Sequence, residues 1–170
     1  MDNNITLITG GQRSGKSAFA EKLTLQRCAN PAYIATAEIH DDEMRHRVDI
    51  HKQRRGAMWT NFEAPLSPGN LKINNNTVLL DCLTMWSMNL LFAENEDSDR
   101  ALSRFKYEWH KLTALPINII AVTNEIGLGG VSANPLQRKF TDLQGSINQL
   151  VANEANEAYM LISGIPLRIK

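Results

Sequence analysis

The octapeptide Gly10-Gly11-Gln12-Arg13-Ser14-Gly15-Lys16-Ser17 constrains this chain more than any other feature. It completes the pattern G-x-x-x-x-G-K-S, in which glycines let backbone N–H groups turn toward phosphate oxygens. In such a loop Lys16 reaches the outer phosphates, and the Ser17 hydroxyl holds Mg²⁺. The motif works only where a strand delivers the loop and a helix leaves it with its positive end toward the phosphate. Both flanks are present. Residues 5–9 are a short apolar run with two isoleucines and two threonines, which predicts a buried parallel strand. Residues 17–27 carry Ala18, Phe19, Leu23 and Leu25 among good helix formers, which predicts a helix. The expected ligand is a nucleoside triphosphate with Mg²⁺. Arg13 is open between a phosphate contact and a solvated loop charge.

The same alternation continues along the chain. Further strands are expected at residues 33–37, 77–80, 117–123 and 159–163, the second of these four ending in Asp81. Helices are expected from Asp41 or Asp42 to Arg55, and over residues 83–93, 100–115 and 142–158, with a terminal hairpin arm after Gly164. Gly127-Leu128-Gly129-Gly130 reads as a flexible loop. Strands alternating with helices predict an α/β three-layer domain with a mostly parallel sheet. Asp81 closes an apolar strand, where a carboxylate can orient Mg²⁺ directly or through water. The other reading of Asp81 is a cap for the next helix.

Composition sets the remaining bounds. The chain has 170 residues, which fits one catalytic domain over 1–170, and its 43% hydrophobic content is enough for a core. Lysine plus arginine equal aspartate plus glutamate at 18 each, so no global field draws in nucleic acid or an anionic membrane. Any anion must be held locally. Cys28 and Cys82 are far apart and outside any C-x-x-C pattern, which reads as reduced thiols. No basic leader precedes the first strand, and no apolar run approaches the roughly 18 residues of a membrane span. A cytoplasmic protein without a membrane span is expected.

Further segments follow one another in a recognisable order. They are Tyr33-Ile34-Ala35-Thr36-Ala37, Asp41-Asp42-Glu43-Met44, Arg47-Val48-Asp49-Ile50-His51 and Trp59-x-x-x-Glu63. Asp81-Cys82-Leu83-Thr84-Met85-Trp86, Asn89-Leu90-Leu91, Thr123-Asn124-Glu125-Ile126-Gly127-Leu128-Gly129, Asn148-Gln149 and Ser163-Gly164-Ile165-Pro166 complete the series. In this order they resemble the bifunctional adenosylcobinamide kinase/adenosylcobinamide-phosphate guanylyltransferase family, through essentially the whole chain. The resemblance implies a RecA-like P-loop fold and two linked reactions in cobalamin biosynthesis. ATP or GTP phosphorylates the terminal hydroxyl of adenosylcobinamide. GTP then gives GMP to an enzyme histidine, and adenosylcobinamide phosphate takes it up as adenosyl-GDP-cobinamide. By the motif that histidine is His51. The resemblance also implies a homotrimer. It places nucleotide contacts in the phosphate loop, at Ala35, Thr36 and Ala37, at Lys52, Gln53, Arg54 and Arg55, and at Glu63 and Asp81.

Two departures stand out. Where the family has a proline after the glycine-rich loop, this chain has Val131-Ser132-Ala133. Where it often has arginines, this chain has Thr141 and Ser146. The nucleotide motifs are untouched.

The residues around His51 suit the implied role. Met44, Val48, His51 and Arg55 fall at i, i+4, i+7 and i+11, one face of the expected helix. Lys52, Arg54 and Arg55 surround His51 with positive charge. Cations favour the neutral, nucleophilic imidazole and bind the departing polyphosphate. Taken without the resemblance, a histidine on a charged helix reads as a solvated surface residue. His40, His46 and His110 read as ordinary, and Trp59, Trp86 and Trp109 as core or interface. Glu125 follows the strongest strand and could enter the same cleft, either to orient a water or hydroxyl or as a structural group. Two rival readings stay open: a P-loop small-molecule kinase without guanylyl transfer, and a RecA-like nucleotide-binding module without small-molecule chemistry.

Overall fold

The computed structural model describes residues 3–38 and 56–170. The helix expected from Asp41 or Asp42 to Arg55 lies outside the described residues, and with it His51, Lys52, Gln53, Arg54 and Arg55. Within them the chain forms β1 (Ile5–Gly10), α1 (Lys16–Arg27), β2 (Ala32–Ala35), β3 (Thr60–Glu63) and β4 (Thr77–Asp81). It continues with α2 (Leu83–Ala93), α3 (Ser98–Thr113), β5 (Asn118–Val122), α4 (Pro135–Glu154), β6 (Glu157–Ile162) and β7 (Ile165–Arg168).

These seven strands form one sheet in the order β3-β2-β4-β5-β1-β6-β7. All neighbours are parallel except the terminal pair β6 and β7, which meet antiparallel with Ile162 opposite Ile165. The period-2 alternation of the strands divides the core into two layers. Leu7, Ile34, Leu80 and Ile119 point to a face covered by α2, α3 and α4, where Trp86, Phe105 and Trp109 are fully buried. Ile8, Tyr33, Leu79 and Ile120 point to the other face and meet Ala20 of α1 and Trp59. Helices therefore lie on both faces of the sheet, the three-layer arrangement expected of alternating strands and helices. All three tryptophans are buried, as core residues.

The differences from the sequence expectation have local causes. Helix α4 starts at Pro135, seven residues before the expected start. The Asn134 side chain caps it by accepting from the backbone of Leu136 and Gln137, and Pro135 fits the first turn. Strand β6 starts at Glu157 because it is recruited beside β1, Thr6 opposite Glu157. Strand β3 had no counterpart in the sequence reading. It is an edge strand with no fully buried side chain, so it shows no apolar alternation. The glycine-rich segment contains a 3₁₀ turn over Ile126–Gly129. The hydroxyls at the two departures bond to their own helix, Thr141 to the Gln137 carbonyl at 2.8 Å and Ser146 to that of Asp142 at 2.9 Å.

Candidate active site

Every sequence-nominated residue that the structure describes lies at the C-terminal edge of the parallel strands, the edge where open α/β sheets bind ligands. The phosphate loop leaves β1. Ala35 closes β2 with Thr36 and Ala37 following it, Glu63 closes β3, Asp81 closes β4 and Glu125 follows β5.

The loop needs its glycines for stated reasons. Gly10 has φ 145°, and a Cβ there would lie 2.5 Å from the Leu161 carbonyl oxygen. Gly15 caps α1 at φ 94°, with Gly164 so close that a Cβ would meet its Cα at 3.2 Å. The Gly164 N–H donates to the Ser14 carbonyl at 2.9 Å, so the β6–β7 turn braces the loop from behind. Gly11, Gln12 and Arg13 are exposed, Arg13 at φ 57°. The Ser14 Oγ is buried without a hydrogen-bond partner. A buried hydroxyl without a partner costs about 1–3 kcal/mol, which a phosphate oxygen accepting from it would relieve.

Lys16 is buried, and its Nζ donates to the Gly11 carbonyl at 2.5 Å. Burial pushes its ammonium below the ordinary lysine range, against the opposing pull of the Asp81 carboxylate. An anion in the loop would supply the countercharge this buried cation lacks. Ser17 follows in the first turn of α1, half-buried.

Asp81 is not spent as a helix cap. The cap of α2 is Cys82, whose Sγ accepts from the Met85 N–H at 3.5 Å. The Asp81 carboxylate instead receives the Tyr33 hydroxyl on Oδ2 at 3.0 Å. Burial and the Asp81 charge push the Cys82 thiol up to about 12, so it stays a neutral thiol at ordinary pH. Thr36 locks this corner. Its hydroxyl donates to the Cys82 carbonyl at 2.7 Å and accepts from the Cys82 N–H at 2.9 Å. Its own N–H donates to the Asp81 carbonyl at 3.2 Å, and its carbonyl accepts from Asn89 at 2.7 Å.

Beside the loop lies a buried polar network that the sequence reading did not assemble. Gln144 Nε2 donates to Thr123 Oγ1 at 2.7 Å and to Asn148 Oδ1 at 2.8 Å. Ser87 donates to Gln144 Oε1, and Thr84 bonds the Asn124 backbone N–H at 2.9 Å. The signal was present in α4. Gln144 and Asn148 are four apart on the buried face that carries Leu143, Ile147 and Val151. Polar residues on an apolar stripe demand buried partners.

The site can therefore bind a polyphosphate and hold a hard cation between oxygen ligands. Ser17 and Asp81 carry oxygens of the kind Mg²⁺ takes. Among the described residues no set of three or more His, Cys, Asp or Glu side chains could hold a metal by itself. No described helix is long and apolar enough to cross a membrane.

Comparisons with known proteins agree with this geometry. A sequence model of the family described as cobinamide kinase / cobinamide phosphate guanyltransferase matches residues 6–169. The bifunctional adenosylcobalamin biosynthesis protein CobU of Escherichia coli is 37% identical, over 96% of this chain and 98% of its own length. The bifunctional adenosylcobalamin biosynthesis protein CobP of Pseudomonas aeruginosa is also 37% identical, over 96% of both chains. Among solved structures, the flagellar accessory protein FlaH of Methanocaldococcus jannaschii superposes with a TM-score of 0.53 at 14% identity, covering 98% of this chain and 78% of that one. A second solved structure, an ATPase domain, gives 0.51 at 12% identity, covering 95% and 70%. At such identities these two speak for the fold alone, which is RecA-like.

Proposed function

As a member of the cobinamide kinase / cobinamide phosphate guanyltransferase family, the chain phosphorylates cobinamide and transfers a guanylyl group to the product, and we propose that both reactions draw on the one phosphate loop. The observation that carries this is the pairing of a buried Lys16 and an unpartnered Ser14 hydroxyl with Asp81 at the same sheet edge.

In the kinase step the terminal hydroxyl of adenosylcobinamide attacks the γ-phosphorus of ATP or GTP, and the nucleoside diphosphate leaves. Lys16 and the loop N–H groups hold the charge on the transferring phosphoryl. Ser17 and Asp81 are the residues that would hold Mg²⁺, which when bound neutralises phosphate charge. Tyr33 orients the Asp81 carboxylate for that role. Ala35, Thr36, Ala37 and Glu63, at the ends of β2 and β3, extend the same edge toward the rest of the nucleotide.

In the guanylyl step a His51 nitrogen bonds to the α-phosphorus of GTP and pyrophosphate departs. An oxygen of adenosylcobinamide phosphate then displaces the histidine, and the P–N bond breaks. Lys52, Gln53, Arg54 and Arg55 follow His51 directly, and their cations suit the leaving pyrophosphate. A covalent histidine divides the transfer into two easier steps.

The test is labelling. With α-labelled GTP, Mg²⁺ and no corrinoid, the protein acquires label and releases pyrophosphate, and the label is lost in acid but kept in alkali. His51→Ala takes no label and keeps phosphorylation of adenosylcobinamide. Label on His51→Ala equal to that on the wild type would overturn the histidine mechanism and leave the plain kinase.

The proposal includes a homotrimer. Ile162, Ile165, Leu167 and Ile169 of the β6–β7 arm are all exposed, an apolar edge of the kind that contacts between copies cover. Light scattering at micromolar concentration gives the mass of three chains, and a monomer mass removes this part. The two free cysteines fit a cytoplasmic setting.

A further inference from the structure

Glu125 is a further carboxylate at the nucleotide edge, and its bonding is lopsided. The Glu125 backbone N–H donates to the Gly10 carbonyl at 3.2 Å, which ties the residue to the start of the phosphate loop. Its Oε1 accepts from the Thr9 hydroxyl at 2.7 Å and from Asn148 Nδ2 at 3.2 Å. The Asn148 amide is itself oriented. Its oxygen receives Thr123 Oγ1 at 2.7 Å and Gln144 Nε2 at 2.8 Å, so its NH₂ faces Glu125. Among the described residues Oε2 has no hydrogen bond, and the carboxylate has no cationic partner.

A structural acceptor at this place would need no charge, because the amide oxygen of a glutamine could take both bonds to Oε1. A negative charge beside a phosphate loop opposes the binding of a triphosphate. The arrangement thus carries an electrostatic cost that a structural role does not explain. It holds one oxygen by neutral donors and leaves the other open at the edge where the acceptor must meet the γ-phosphate.

We propose that Glu125 is the base of the kinase step, its Oε2 taking the proton from the acceptor hydroxyl as that hydroxyl attacks. The inference rests on the kinase reading above. As the step proceeds, the hydroxyl oxygen bonds to the γ-phosphorus, the bond from that phosphorus to the β–γ bridging oxygen breaks, and the proton ends on Glu125. The nucleoside diphosphate leaves with the bond electrons, and Glu125 returns the proton to solvent after product departs. Among the described carboxylates of this edge, Asp81 is committed to Tyr33 and the metal position and Glu63 to the rest of the nucleotide in that reading, which leaves Glu125 for the acceptor hydroxyl. The guanylyl step has no use for this base, since its acceptors are a histidine nitrogen and an already ionised phosphate oxygen.

Glu125→Gln tests this in the full chain, because it preserves the shape and the Oε1 acceptor while removing the proton acceptor. Transfer of label from γ-labelled ATP to adenosylcobinamide falls about 10²–10⁴-fold in kcat, the usual range for a positioned base. The KM for ATP does not rise, since a charge that opposes the triphosphate is gone, the melting temperature does not fall, and labelling of the protein by α-labelled GTP persists. Glu125→Asp, which keeps a proton acceptor, falls between the two. A Glu125→Gln kcat within about threefold of wild type, or an equal loss in both reactions with a lowered melting temperature, makes Glu125 structural and overturns the inference. Wild-type protein that moves no γ-label to adenosylcobinamide would overturn the kinase reading itself, and this inference with it.

Discussion

The two ends of the same parallel sheet are built on opposite principles. At the N-terminal edge, asparagine side chains stand in for missing backbone partners. Asn156 accepts from the Ile5 N–H at 2.8 Å and Asn118 from the Asn4 N–H at 3.1 Å, while Asn3 donates to the Leu115 carbonyl at 2.5 Å. Arg27 donates to Thr6 at 2.9 Å and pairs with Glu157 at 2.7 Å. A cavity of about 270 Å³ opens there among Asn4, Arg27, Thr77, Asn118, Ile120 and Glu157. It lies at the opposite edge of the sheet from the phosphate loop, and its charged groups are already paired, although the buried Asn4 Oδ1 beside it has no hydrogen-bond partner. At the C-terminal edge the groups stay unmatched: a buried ammonium short of countercharge, a hydroxyl without a partner and a carboxylate with one oxygen open. Satisfied polar groups contribute to stability, whereas unsatisfied ones wait for a ligand.

The largest expected effect belongs to the unmatched end. Lys16→Ala lowers both γ-phosphoryl and guanylyl transfer by at least about 10²–10³-fold, the range for losing one preorganised group on a developing charge. The melting temperature does not fall, because the substitution removes a desolvated cation. A fall in stability comparable to that of a core mutant would show that the two ends do not differ in this way.

Next comes Asn156→Ala at the satisfied end. It leaves the buried Ile5 N–H without its acceptor and costs about 1–3 kcal/mol of stability in denaturant unfolding. Turnover per folded molecule is unchanged. A large loss of kcat at full folding would break the division of labour.

The smallest effect is at Glu157. The bond from Arg27 holds its carboxyl below the usual carboxylate range, against a smaller opposing effect of burial. A lowered folded-state value means the stabilisation is present above the unfolded carboxylate range of about 4.3 and is lost as pH falls through the folded value. Both partners are partly exposed, so Glu157→Gln costs at most about 1 kcal/mol at neutral pH. The difference from wild type closes as pH drops below about 4 in thermal melts. A difference that widens in acid would contradict the pairing.

The sequence by itself determined the phosphate loop, the strand and helix that flank it, and the acidic end of β4. Each is written within about a dozen consecutive residues, where glycine conformation and apolar periodicity act directly. It also set the alternation that makes the sheet parallel. What only the tertiary structure decided is which distant groups meet. Whether Asp81 capped a helix or faced the site was settled by Cys82 taking the cap and Tyr33, on a neighbouring strand, taking the carboxylate. β3 became a strand because β2 offered it an edge, with Ala35 opposite Glu63, and its own side chains carry no pattern that announces it. Glu125 acquired its orientation from Thr9, 116 positions away, and from Asn148, 23 positions away. Local pattern specifies an element because backbone geometry repeats over a few residues. The partner of a buried polar group depends on strand order and helix packing, and these exist only once the whole core has closed.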